Sequence, residues 1–274
     1  MILNKLLTRI LIICFLKMSI RFKILGCGSS MGVPRIDGNF GNCDPNEKKN
    51  YRTRCSAIII SKKGNTLIDT SPDLRNQLLK NKIKNINRVL YTHSHADQTH
   101  GINDLRIFYL KNKKKIQVYA DLDTKNYLLG NFNYCFKKTI SYPSILKINP
   151  IKKSHSFDDK NNRINIKSIK VKHGEIQSMA YIINNKCAYI SDVSKIYKKD
   201  LKFFKNLNYF IIDCLRYLKH PSHYNLEEVI NLSKLLKPKK TILTNLNAEL
   251  DYQTLKKSLP KNIVPAYDGM TLKL

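Results

Sequence analysis

Three imidazoles and a carboxylate fall within eight residues in His93-Ser94-His95-Ala96-Asp97-Gln98-Thr99-His100, directly after the apolar run Val89-Leu90-Tyr91. A strand that ends in a loop rich in histidine and aspartate is a common way to build a metal site. Neutral imidazoles and carboxylates suit zinc, manganese or iron. His93 and His95 are two residues apart, so in extended backbone their side chains leave on the same side and can grip one ion. Asp97 continues that face. The plain alternative is a polar loop that happens to contain histidine. Six of the seven histidines lie in short polar segments with chemical neighbours, which argues against it; His155 reads as a stray surface histidine.

Other segments end in residues of the same kind. Residues 163–172 alternate apolar and polar at Ile164, Ile166, Ile169 and Val171, a half-buried strand that delivers His173. A hairpin over 178–184 and 187–191 ends at Asp192. His220-Pro221-Ser222-His223 comes after the apolar strand 209–213, and a further strand, 241–244, leads into Asn245-Leu246-Asn247 without a residue of this kind. Asp69 closes the apolar strand 66–70, where an aspartate is usually a turn or cap residue. Arg52 and Arg54 end a polar loop where they could meet a substrate phosphate or could be ordinary surface arginines. Gly26-Cys27-Gly28-Ser29-Ser30 opens a tight turn that could cradle phosphate, although a lone glycine-rich turn is weak evidence.

The elements needed to hold these residues can be read along the chain. Strands are expected at 19–25, 55–61 and 66–70, the last two joined at Lys63-Gly64-Asn65 as a hairpin. Pro72 opens a helix to about Lys82. Helical spacing covers 102–110, a strand 116–120, and a short helix 124–129, while 131–160 carries little signal. Helices are expected at 195–206, 227–236 and 251–259, and closing strands at 263–266 and 270–274. Periodicity by itself reaches only a mixed α and β class.

The 274 residues suffice for one large domain, 19–274, with a sizeable core. Residues 1–18 are basic and apolar, too short a run to span a bilayer and a poor signal peptide. They read as a mis-assigned start upstream of Met18, or as a weak apolar extension; no stable membrane insertion is expected. The net charge of +29 fits an anionic substrate, but the lysines are scattered and little interleaved with aromatics, so nucleic acid is open as a partner without being favoured. Seven cysteines without a C-x-x-C argue for a reducing, cytoplasmic compartment and against a disulfide framework.

His93-x-His95-x-Asp97 resembles the H-x-H-x-D-H signature of the metallo-β-lactamase superfamily. With Gly101-Ile102-Asn103-Asp104-Leu105-Arg106 it looks like the subgroup of phosphoribosyl cyclic-phosphate phosphodiesterases, with ribonuclease Z more distant. The resemblance runs over nearly the whole chain from Arg21. It implies an α+β fold, the four-layer αββα sandwich, and puts the position of Asp69 beneath the metal loop. It assigns His93, His95 and His173 to a first divalent metal, zinc or manganese, makes Asp192 the bridging carboxylate, and gives Asp97 to a second metal. The family completes that second metal with a motif-loop histidine and a late histidine, whose positions here are Gln98 and Asn245. Both replacements fall on one ion, so one tightly bound ion per chain is expected. The alternatives are amide oxygens holding a second, hard ion, or His100 moving in as a ligand. Some relatives carry a Cys-rich zinc cluster near Cys43, and none is expected here.

The chemistry implied is metal-dependent hydrolysis, because a bound ion lowers the pKa of its water from 15.7 to about 7 and makes hydroxide available at neutral pH. Asp97 would orient that water or accept its proton, and His223 would act as general acid, with His220 a weaker candidate. A phosphodiesterase acting on a small cyclic or nucleotide-like phosphate is the expectation. A ribonuclease Z-like nuclease, a degenerate metal-binding module, and a thiolester or lactam hydrolase are the alternatives. An oligomer is left open.

Overall fold

Strand alternation decides how this chain is layered. In a computed structural model that describes residues 20–62, 64–157 and 164–274, β1 (Arg21–Gly26) turns Phe22 and Ile24 to one side and Leu25 to the other. In β2 (Ser56–Ile60), Ala57 and Ile59 join the first set and Ile58 the second. Far along the chain, β9 (Ile176–Ile183) sends Met179, Tyr181 and Ile183 into the same central core as Phe22, and Ala180 and Ile182 to the opposite face. Side chains two apart share a face, so each strand feeds two cores. The central core therefore lies between two sheets, and each sheet has a further core on its outer face.

Each sheet has seven strands. The first runs β14-β1-β2-β3-β4-β5-β6 and the second β13-β12-β11-β10-β9-β8-β7. The remaining members of the first sheet are β3 (Thr66–Ile68), β4 (Arg88–Leu90), β5 (Ile116–Ala120), β6 (Leu146–Pro150) and β14 (Thr271–Lys273). Those of the second are β7 (Ser154–Phe157), β8 (Ile164–His173), β10 (Cys187–Ile190), β11 (Tyr209–Asp213), β12 (Lys240–Thr244) and β13 (Ile263–Pro265). The outer core of the first sheet is closed by Leu74 and Leu78 of α1 (Leu74–Lys80), by Phe108 of α3 (Arg106–Asn112) and by Leu128 of α4 (Leu122–Asn131), with the short α2 (Ala96–Thr99) and α5 (Asn133–Phe136) between and after them. The outer core of the second is closed by Phe204, by Val229 and Leu236 of α6 (Leu226–Leu236), and by Leu255 of α7 (Tyr252–Ser258). This is the αββα sandwich.

Strands β3 to β6 run parallel, as do β10 to β13. Their carboxyl ends deliver Asp69, the 91–100 loop, Asp192, Asp213 and Asn245. Open parallel sheets characteristically carry their sites at that edge.

Three expectations fail for physical reasons. The helix expected at 195–206 is reduced to a 3₁₀ stretch at Lys198–Phe204. The Lys195 carbonyl accepts from the Lys172 amide of β8 at 2.9 Å and Tyr197 is extended (ψ 139°), so the segment before Lys198 is held as a bridge to the sheet and its carbonyl is lost to an α-turn. Strands β6 and β7 and helix α5, absent from the sequence reading, lie at sheet edges or beneath them, where one face is exposed and alternation is weak. His155 is buried, its Nε2 accepting from the Lys152 amide at 2.8 Å and its ring stacked on Phe157. The segment 1–18 lies outside the described residues, and among the described residues no helix is long and apolar enough to cross a membrane.

Candidate metal centre

The loop that leaves β4 is fixed from below by Asp69. That carboxylate is buried and accepts from the Thr92 amide at 2.7 Å and the Thr92 hydroxyl at 2.9 Å. Its left-handed backbone (φ 60°) turns the chain out of β3 so that the side chain points back beneath the loop. The Thr92 hydroxyl proton is thereby committed to Asp69. The contact of 3.0 Å between Thr92 Oγ1 and His93 Nδ1 then requires the imidazole to donate. His93 Nε2 is left with its lone pair, buried and without a partner. Burial holds the His93 imidazole down to about 3, so it stays neutral.

His173 reaches the same point from the second sheet. Its Nδ1 donates to the Ser222 carbonyl at 2.7 Å, and its Nε2 faces His95 Nδ1 at 3.4 Å. Gly174 makes this approach workable. Its φ is 57°, and a Cβ there would lie 2.5 Å from Ser222 Oγ, so a side chain would drive away the segment that orients His173. Ring centroids of His93, His95 and His173 lie 4.5–5.2 Å apart, and one donor atom from each falls within 4.8 Å of the others. His173, Asp192 and His223 form a second such group, sharing His173 with the first. An orphaned buried lone pair among converging imidazoles, beside a buried carboxylate, is the donor set a divalent ion takes.

Asp192 is buried at the end of β10. Burial pushes its carboxyl up, but His93, His173 and His223 outweigh this and hold it below the ordinary range. Gln98 Nε2 donates to its Oδ2 at 3.3 Å, and Asn245 Nδ2 to its Oδ1 at 3.3 Å. Gln98 also donates to Asp97 at 3.0 Å. Burial, and then the neighbouring Asp192 charge, push Asp97 up to about 6.

His223 Nδ1 donates to Asp213 Oδ2 at 2.7 Å. Burial alone would lower the His223 pKa, but the Asp213 carboxylate overrides it and raises the imidazole to about 9. Asp213 escaped the sequence reading, although the signal was there. It closes an apolar strand just as Asp69 and Asp192 do. His220 sits beside His223, ring centroids 5.0 Å apart, and its Nδ1 accepts from the Ser222 amide.

Other candidates lie elsewhere. His100 is exposed and pairs with the Tyr127 hydroxyl at 3.1 Å, outside the groups of convergent donors found among the described residues. Arg52 is 2 % exposed and cannot meet a substrate. Its guanidinium donates to Asn50 Oδ1 at 2.9 Å and to the carbonyls of Asn247 and Leu250 at 3.2 and 2.6 Å, tying the 41–52 loop to the segment after Asn245. Arg52→Met should therefore cost on the order of 2–3 kcal/mol in chemical denaturation by leaving buried acceptors unpaired, with metal content unchanged. Arg54 stays partly exposed at the rim, held by Asp73 at 2.6 and 2.8 Å. Most amides of the glycine-rich turn are already taken and cannot cradle phosphate. The amides of Cys27, Gly28, Ser29, Gly32 and Val33 are bonded to Asp268, Thr53, Leu246, Ser29 and Arg52, and a Cβ on Gly28 would lie 2.8 Å from the Arg52 carbonyl.

The profile of the β-lactamase superfamily domain matches residues 64–244, two-thirds of the chain. The chain belongs to the metallo-β-lactamase superfamily. A diphosphatase of the PhnP family superposes on it with a TM-score of 0.85 at 28% identity, covering 94% of this chain and 98% of that one. Zinc-bound PqqB from Methylobacterium extorquens (TM-score 0.72, 16% identity, 93% and 100% covered) and the short form of human tRNase Z (0.65, 16%, 92% and 98%) share the fold. A Porphyromonas gingivalis octanoyltransferase is 30% identical over 253 residues, 90% of this chain and 50% of the relative. The chain thus spans about half the length of that curated relative. Together these give the chain the metallo-β-lactamase fold with a candidate divalent-metal site.

Proposed function

We propose that this metallo-β-lactamase-superfamily chain is a phosphodiesterase acting on a small cyclic or nucleotide-like phosphate. His93, His95, His173 and Asp192 would hold one zinc or manganese ion. The observation that carries the reading is the juxtaposition of that donor set with the His223–Asp213 pair, His173 and His223 having ring centroids only 4.7 Å apart. When bound, the ion acts as a Lewis acid and makes water a nucleophile near neutral pH. Asp97 would take the proton of the attacking water, a role its raised pKa supports. Asp213 fixes the His223 proton on Nδ1 and stabilises the imidazolium, leaving Nε2–H to protonate the departing oxygen. Arg54, on the rim and within electrostatic reach of Asp97, is suited to a non-bridging phosphate oxygen. The reducing, cytoplasmic setting inferred from the unpaired cysteines fits such a substrate.

Purified protein loaded with zinc or manganese should hydrolyse bis-p-nitrophenyl phosphate, and a chelator should abolish that turnover. Metal-loaded protein that leaves it and cyclic nucleotides intact refutes the reading. A second reading is thiolester hydrolysis, favoured by the octanoyltransferase relative, whose chemistry is acyl transfer. Cleavage of an octanoyl thiolester without phosphodiester turnover would select it.

A further inference from the structure

Among the described residues no lysine or arginine bonds to Asp192 or Asp213; Asp213 is met by His223 Nδ1, and a pair of amides links the three acids to one another. Gln98 and Asn245 come from the two different sheets and are both buried, 0 % and 2 % exposed. Gln98 Nε2 bridges Asp97 Oδ2 (3.0 Å) and Asp192 Oδ2 (3.3 Å). Asn245 Nδ2 bridges Asp192 Oδ1 (3.3 Å) and Asp213 Oδ1 (3.1 Å). Each oxygen of Asp192 thus receives one N–H. In the reverse orientation both amides would turn a carbonyl oxygen onto carboxylate oxygens, which is repulsive unless a cation lies between them; Asn245 Nδ2 also lies 3.2 Å from His223 Nδ1, and its orientation is set by two carboxylates against that one imidazole. Gln98 Oε1 instead faces away and is buried without a partner. Asn245 has φ 60°, a backbone conformation asparagine adopts more readily than most residues, so its amide is aimed by the turn itself.

We propose that Gln98 and Asn245 act together as a neutral hydrogen-bonding clamp that occupies the place of a second cation, so that the chain binds a single ion and keeps Asp97, Asp192 and Asp213 assembled without another. The inference rests on the reading that one divalent ion sits on the three imidazoles and Asp192. Its consequence is that both amides are positioning residues. Asn245 in particular links the carboxylate on the metal side to the one that orients His223.

Two measurements test it, and the second does not depend on the first ion. Native mass spectrometry of protein loaded with zinc and then dialysed should show about one ion per chain. Gln98→His or Asn245→His alone should leave that number near one. The double substitution should move it towards two, because ligands to one ion act together rather than additively. Two ions on the starting protein, or a folded double variant still at one, overturns the proposal. In metal-free protein, Gln98→Glu replaces the donor by a further carboxylate, and should lower the melting temperature by about 5 °C or more, with recovery on adding manganese. Gln98→Met, which keeps the volume and loses the N–H, should fall in between. Unchanged melting of the metal-free Gln98→Glu protein would overturn the clamp. A starting protein that binds no metal, yet shows these melting shifts, would overturn the hydrolytic reading and leave the clamp standing.

Discussion

His173→Ala should leave a folded protein almost free of tightly bound divalent metal, with phosphodiester turnover down by more than about 10³-fold. The factor follows from the several kcal/mol of charge stabilisation an ion supplies, at 1.36 kcal/mol per tenfold. The metal loss follows from how the donors are held. His93 and His95 leave one strand-end loop, and His173 arrives from the opposite sheet, so deleting it removes the ligand that closes the site between the sheets. The His93 lone pair is already oriented by the Thr92–Asp69 relay and cannot turn to compensate. Folding should survive, because the ring sits at the edge of the second sheet and belongs to none of the three apolar cores. Elemental analysis after dialysis, with melting temperature as the control, reads the result. A variant that keeps its metal would move the site away from the inter-sheet edge.

The second large effect belongs to the His223–Asp213 pair. His223→Ala should lower turnover by roughly 10²–10⁴-fold, the range of a general acid, with metal content near that of the starting protein. The loss should shrink for substrates with good leaving groups, which need no proton. The sign of the pH dependence follows from the raised pKa. The imidazolium is the active form, so turnover of poor leaving groups should fall as the pH rises through about 9, and His223→Ala should remove that limb. Asp213→Asn keeps the volume but no longer favours Nδ1–H, and should give a loss of the same kind. The two losses should not multiply in the double variant, because the pair acts as one unit. Equal losses on good and poor leaving groups would assign His223 to phosphate binding. A loss of metal in His223→Ala would make it a ligand, as its place in the second donor group allows.

What could be read from the amino-acid order was whatever local spacing controls. His93-x-His95 at the end of an apolar strand, His173 at the end of an alternating one, and Asp192 after a hairpin lie where period-two geometry puts them within a few residues, whereas Asp97, expected to continue the extended face, sits in the first turn of α2. The strands carrying them were legible for the same reason, most closely β11 at Tyr209–Asp213 and β5 at Ile116–Ala120. What depended on partners distant in the chain was not. Arg52 looks like any loop arginine until the segment 247–250 folds over it and supplies two carbonyls. The short stretch at Lys198–Phe204 has helical spacing, but the residues before it are held extended by the bridge between Lys195 and Lys172 of β8. Asp213 was visible as the end of a strand, yet its role needs His223 turned back onto it across a ten-residue loop. Gln98 and Asn245 could be recognised by order alone as departures from a histidine pattern. That their nitrogens face Asp192 from opposite sheets was decided only when the sandwich closed, because a side-chain amide takes its direction from the charges packed around it.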